Sequence, residues 1–264
     1  MTADARTVAL HVETAGRGRP LVLLHGWALH AGLFAPIVPA LARAHRVHAV
    51  DLPGHGRSPP PPAWTLPAVV DALESTFADA PSSVDVLGWS LGGLVALAWA
   101  HAAPRRVARL VLVGTTPRFT ASADWPHAMD PRTLHRFADE LRVAYRATLQ
   151  RFVTLQVQGS EAGRTTLAAL REALFDRGTP DPSVLAHALA ALADADVRAL
   201  LPAIAQPALV VSGERDTLVP WQASDWLARR LPRATSLAIA GAAHAPFLSH
   251  REAFLAPVLD FLAR

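Results

Sequence analysis

The 264-residue chain has no cysteine and no lysine. Without thiols, disulfides and thiolate metal sites are excluded. Without lysine, all 25 residues of the Lys+Arg count are arginine, so nothing deprotonates near pH 10. The isoelectric point therefore climbs to about 10.7 although the formal net charge is only +3. It reflects guanidinium chemistry and not a basic face. No arginine run and no alternation of basic with aromatic residues marks a nucleic-acid surface. No apolar stretch reaches the roughly 18 residues of a membrane span. Residues 1–6 lack the basic-then-apolar order of a secretory signal, so the cytoplasm is the expected compartment. With 51% hydrophobic and 18% charged residues, the chain is able to bury the core of one large domain.

What is present is an alternation of strands and helices. Residues 8–13, 20–24 and 46–50 read as strands bounded by Gly or Pro, with a helical pattern over 39–44. Residues 84–87 and 109–113 continue the series around an apolar helix at Leu91–Ala102. Strands at 208–212 and 236–240 follow late, and an amphipathic helix over 252–262 closes the chain. Near-continuous apolar strands separated by helices predict an α/β fold with a mostly parallel sheet covered on both faces. Between residues 117 and 206 the rhythm breaks into helical patterns at 131–145, 149–158, 165–175 and 184–193. This predicts a helical cap, 117–206, inserted in a core of 1–116 and 207–264. Both of its connections are expected at the carboxyl end of the sheet, where open α/β folds bind ligands.

The pentapeptide Gly88-Trp89-Ser90-Leu91-Gly92 follows a strand and opens a helix, the setting of a nucleophile elbow. So sharp a turn strains the backbone of Ser90, and side chains two residues to either side would collide. The competing reading is a glycine-rich turn with an idle serine. A serine hydroxyl needs a base, and this arrangement supplies its partners in the order Ser, acid, His. His244 lies in a small-residue loop, 241–246, between the last strand and the last helix. Its nearest rival, His250, opens the closing helix, and His11, His45 and His48 lie in or beside early strands. Asp216 follows the strand 208–212, where a buried carboxylate would orient the imidazole and stabilise its cation. Glu214 competes for that role, while Asp194 and Asp196 fall in the cap.

Backbone N–H groups of Leu91 and Trp27 are the expected oxyanion donors, the second from the loop His25-Gly26-Trp27-Ala28. His25 is expected to brace that loop, and the indoles of Trp27 and Trp89 to wall an acyl pocket. The motif Asp51-Leu52-Pro53-Gly54-His55-Gly56-Arg57-Ser58 reads as a structural turn in which Asp51 and Ser58 cap backbone groups. His45, His48 and Asp51 form no organised ligand set, and neither a metal nor a cofactor is expected.

These segments, with Ala242-Ala243-His244-Ala245-Pro246-Phe247, resemble the α/β-hydrolase superfamily. More narrowly the chain resembles the BioH-type carboxylesterases, which hydrolyse the methyl ester of pimeloyl-acyl-carrier protein in biotin synthesis. The markers are Trp89 before the serine and Gly93 after the elbow, Asp124-Trp125-Pro126, and Arg151-Phe152-Val153-Thr154-Leu155-Gln156. The resemblance runs through nearly the whole chain. It implies an acyl-enzyme mechanism with substrate contacts at Trp27, Ser90, Leu91, Phe152, Val153, Thr154, Leu155, Gln156 and His244. It also implies that cap arginines meet an acidic acyl-carrier protein; the chain itself is expected to be a monomer. Arg151 and Arg164 match such positions and Arg146 and Arg171 lie near them, although all four also read as a solvated helix face. Still open are a broad carboxylesterase or lactonase, a perhydrolase with the same triad, and a ligand receptor on a hydrolase fold. Dehalogenases and most epoxide hydrolases are disfavoured because they place Asp where Ser90 stands.

Overall fold

The computed structural model describes residues 9–80, 83–178 and 180–264. Seven strands form one sheet: β1 (Val12–Ala15), β2 (Arg19–Leu24), β3 (His45–Val50), β4 (Val84–Trp89), β5 (Val107–Val113), β6 (Ala208–Gly213) and β7 (Ala234–Ile239). Their order across the sheet is β1-β3-β2-β4-β5-β6-β7. Only β1 runs antiparallel, against β3; every other pair is parallel. Strands β4 and β6 are buried at every residue, which is why they read as near-continuous apolar runs; Asp85, the buried charge in β4, is paired with Arg19 and Arg109.

The first strand departs from the expectation. Regular pairing begins at Val12, opposite Val50, and runs to Ala15, later than the predicted 8–13. Leu10 turns into the core instead, and Val8 lies outside the described residues. The predicted helix at 39–44 shrinks to α1 (Val38–Leu41), because the chain must turn at once into β3. The core also holds α2 (Leu66–Thr76), which the sequence reading did not assign; Thr65 caps it by accepting the Ala68 N–H at 3.2 Å. Helix α3 (Leu91–Ala102) is apolar all round because it is buried along nearly its whole length.

Between β5 and β6 stand four helices: α4 (Pro131–Val143), α5 (Tyr145–Leu155), α6 (Gly163–Asp176) and α7 (Pro182–Asp194). Asp130 and Asp181 each cap a helix whose next residue is Pro, accepting the N–H of Arg132 at 2.7 Å and of Ser183 at 2.8 Å. The two ends of this insertion meet. Arg118 pairs with Asp196 as an isolated antiparallel bridge, and the N–H of Val197 donates to the Pro117 carbonyl at 3.0 Å. A 3-10 turn, Arg198–Ala203, then leads the chain to β6. The core closes with α8 (Trp221–Arg230), the short α9 (Pro246–Ser249) and α10 (Arg251–Ala263).

Candidate active site

Ser90 sits between β4 and α3 at φ 55° and ψ −116°, one of two non-glycine residues with positive φ among those described. Such a conformation costs about 1–3 kcal/mol and persists only where its surroundings enforce it. Here they do. The Ser90 N–H donates to Val113 O at 2.8 Å, and its carbonyl accepts from Gly93 and Leu94. A Cβ at Gly88 would run into the backbone of Gly92 and Gly93, and one at Gly92 into the carbonyl of Leu24. The other residue with positive φ is Ala28, at 65°, in the loop after β2. Among the described residues, the N–H groups of Trp27 and Leu91 donate to no carbonyl.

His25 holds that loop in shape. Its Nδ1–H donates to Gly26 O at 2.8 Å while its Nε2 accepts the Leu52 N–H at 2.9 Å, which fixes the neutral tautomer. Burial, reinforced by the neighbouring His55 ring, pushes its pKa down to about 3. Asp51 ties the adjoining turns together, accepting from the N–H groups of Ala31 and Arg57 and from the guanidinium of Arg177 at 3.0 Å. Ser58 caps beside it, donating to Asp51 O at 2.6 Å and accepting the His11 N–H at 2.8 Å. His48 engages Thr14 at 3.1 Å.

Asp216 lies in the loop after β6, buried, with one carboxylate oxygen accepting the N–H groups of Leu218 and Val219, both at 2.9 Å. Its other oxygen accepts from His244 Nδ1 at 2.7 Å. This leaves Nε2 as the basic nitrogen. Glu214, the rival acid, is exposed on the same loop. His250 bonds its neighbour Ser249 at 2.8 Å, away from this pair.

Trp89 is not in the pocket wall, contrary to the sequence expectation. Its indole lies beneath the histidine, 5.5 Å from the His244 ring and 5.2 Å from that of Phe247, and its Nε1–H donates to His244 O at 2.8 Å. The bulky residue before the serine is therefore a footing for the histidine loop.

Above Ser90 and His244 lies an enclosed, predominantly apolar cavity of about 50 Å³. Of the expected substrate contacts, Trp27, Phe152 and Leu155 lie in its lining beside Ser90 and His244. Trp27 is set by a hydrogen bond from Nε1 to Leu185 O (2.9 Å) and by edge contacts with Phe152 (5.0 Å) and Phe137 (5.6 Å). Leu91 is buried under the elbow. Val153, Thr154 and Gln156 are absent from the lining. On a helix only one face meets the cavity: Val153 is fully buried, while Thr154 is exposed and donates to Gln150 O. Gln156 contributes its carbonyl, which accepts the His244 N–H at 3.1 Å. Thr133 and Leu134 also line it, and sequence reasoning missed them together with the apolar Phe119, Met129, Phe137, Leu189, Leu192 and Leu218. For the apolar ones the only signal is an apolar residue at a helix or loop position.

None of the four arginines lines the cavity, and all are exposed on α5 and α6. Arg151 pairs with Glu140, and the Arg146 guanidinium lies 4.2 Å from the centre of the Phe175 ring.

Residues 19–251 match the family described as alpha/beta hydrolase fold. The chain belongs to the α/β-hydrolase family. It is 45% identical over 253 residues to a pimeloyl-[acyl-carrier protein] methyl ester esterase of Chromobacterium violaceum, covering 96% of this chain and 98% of that protein. The protein of the same name from Nitrosomonas europaea is 43% identical over 247 residues, 94% of this chain and 97% of its own. At this identity and coverage the α/β hydrolase groups with the BioH-type esterases. Among solved structures, a thermophilic esterase from Thermogutta terrifontis superposes with a TM-score of 0.85 at 25% identity, covering 99% of this chain and 96% of that one. No helix among the described residues is long and apolar enough to cross a membrane.

Proposed function

We propose that this α/β hydrolase cleaves the methyl ester of pimeloyl-acyl-carrier protein, releasing methanol and the carrier-bound acid. The observation that carries the reading is the enclosed, predominantly apolar cavity over Ser90 and His244, which suits an uncharged aliphatic ester end. The close relatives' shared activity supplies the substrate.

Ser90 attacks the ester carbonyl as His244 Nε2 takes its proton, and Asp216 stabilises the resulting imidazolium through Nδ1. The charge that develops on the carbonyl oxygen falls to the N–H groups of Trp27 and Leu91, which donate to no carbonyl among the described residues. His244 then protonates the departing methoxide, and water, deprotonated by the same imidazole, hydrolyses the acyl-enzyme. Helix α3 begins at the reacting centre and adds its positive end to the oxyanion site.

In this reading residues 117–206 are a cap on a core of 1–116 and 207–264, and the enzyme is a cytoplasmic monomer that meets a soluble acidic carrier. Arg151 and Arg164, exposed on the helices behind the cavity, are the first carrier contacts to test, with Arg146 and Arg171 beside them. The deciding assay is methanol release from the carrier-bound methyl ester, with dimethyl pimelate and a short p-nitrophenyl ester alongside and Ser90→Ala as control. Strong preference for the carrier-bound ester is the expected result. Turnover of the small esters alone would keep the triad and overturn the substrate, and turnover of none would overturn both.

A further inference from the structure

The turn that joins α5 to α6 is bonded to both catalytic loops. The His244 N–H donates to Gln156 O at 3.1 Å, and the Glu161 N–H donates to Gly241 O at 3.2 Å. From the acid side, Arg215 stands next to Asp216 and sends its guanidinium to the Gly159 carbonyl and the Glu161 carboxylate, both at 3.0 Å. The Arg215 N–H meanwhile donates to Ala242 O at 2.8 Å. Acid loop, histidine loop and cap turn thus form a closed ring of hydrogen bonds. Most of its links are backbone to backbone and do not depend on the side chains at those positions. The side chains that close it are Arg215 and Glu161, at 49% and 64% exposure.

An ion pair this exposed adds at most about 1 kcal/mol to stability. Its place in the ring matters more than its strength. The His244 ring is gripped by Asp216 on one side and Trp89 beneath, but the height of its loop above Ser90 is set through Gln156 O. We propose that Arg215 and Glu161 are positioning residues, which clamp the cap turn onto both catalytic loops and so fix the approach of His244 Nε2 to Ser90. Proton transfer is steeply sensitive to such placement, whereas binding of a small ester in the cavity is not. Helix α5 runs from the cavity wall at Phe152 and Leu155 straight into this turn, so the clamp also joins the wall to the base.

The proposal rests on the triad reading, and the experiment separates the two. Arg215→Ala, Glu161→Gln, the reversed pair Glu161→Arg with Arg215→Glu, and Ser90→Ala would be assayed on a short p-nitrophenyl ester, with thermal unfolding in parallel. Each single variant is expected to lower kcat by about two- to fivefold at unchanged KM, with the unfolding midpoint moved by no more than about 2–4 °C. The reversed pair is expected to recover the share of the lost kcat owed to the ion pair but to stay below the parental rate, because a carboxylate at position 215 cannot donate to the Gly159 carbonyl. Parental kcat in the single variants, a loss carried by KM, or a reversed pair as slow as the single variants would overturn the clamp while leaving the triad intact. Residual parental turnover in Ser90→Ala would overturn the triad reading and the clamp with it.

Discussion

In the core, the groups assigned to chemistry are held by backbone. Ser90 stands on a turn whose neighbours have no room for a Cβ, and Asp216 is fixed by two N–H groups; His244 is the exception, held between the Trp89 indole and the Gln156 carbonyl of the insertion. In the insertion, the groups assigned to selectivity are side chains on ordinary helices: Phe137, Phe152 and Leu189 facing the cavity, arginines facing water. Backbone constraint tolerates little substitution, whereas a helix face accepts another residue of similar size. The contrast implies that the reaction is fixed by the first region and that its substrate is adjustable in the second.

The largest test of that contrast is Ser90→Ala, expected to lower kcat about 10⁶-fold on every ester while leaving the fold intact. A substantial residual rate would remove Ser90 as nucleophile and break the comparison at its base. Next comes Gly92→Ala, whose Cβ would collide with the Leu24 carbonyl. Urea unfolding should show a loss of about 3 kcal/mol or more, together with activity on all substrates. Parental stability there would mean that the elbow is not backbone-limited.

Acid should separate the regions in a third way. Burial lowers the pKa of His25 to about 3 and of His55 to about 4, from 6.5 when unfolded. Protons then bind the unfolded chain more readily, so the stability these rings confer is complete above pH 6.5 and is lost as pH falls toward 4. The expected slope is on the order of 1.4 kcal/mol per pH unit for each histidine, read by denaturant midpoints between pH 7 and 4.5. His55→Gln should flatten it, and an unchanged slope would show that these rings do not control acid stability. The smallest effect belongs to the exposed face: Arg151→Glu with Arg164→Glu should raise KM for the carrier-bound ester by about tenfold at low salt and leave a small ester untouched. An equal change on both substrates would move the arginines from partner recognition to cap structure.

The same contrast explains what the sequence disclosed. Parallel strands announced themselves because burial on both faces favours near-continuous apolar runs, and the elbow because its sterics require glycines at set distances from a serine. The helices of the insertion were legible from their periodicity, although the Asp-Pro starts at 130–131 and 181–182 went unread. Their cavity-facing residues were not, since Leu189 or Phe137 would look the same packed against any core. Trp89 was misread for a related reason: an indole serves equally as wall or as footing until its N–H finds the His244 carbonyl. Strand β1 was placed too early because Leu10 is apolar for packing and not for pairing.

The insertion leaves and rejoins the sheet's surroundings at one spot, where Pro117 meets Val197 and Arg118 meets Asp196. A segment whose two ends touch is, in engineering terms, a cartridge. It could be replaced by a cartridge of another length without stretching the strands beneath, giving new substrate ranges, provided that the turn carrying Gln156, Gly159 and Glu161 is kept on the two catalytic loops. For this chain the graft points would be those four residues, and the hydrogen bond between Pro117 and Val197 would be the first feature to restore in any chimera.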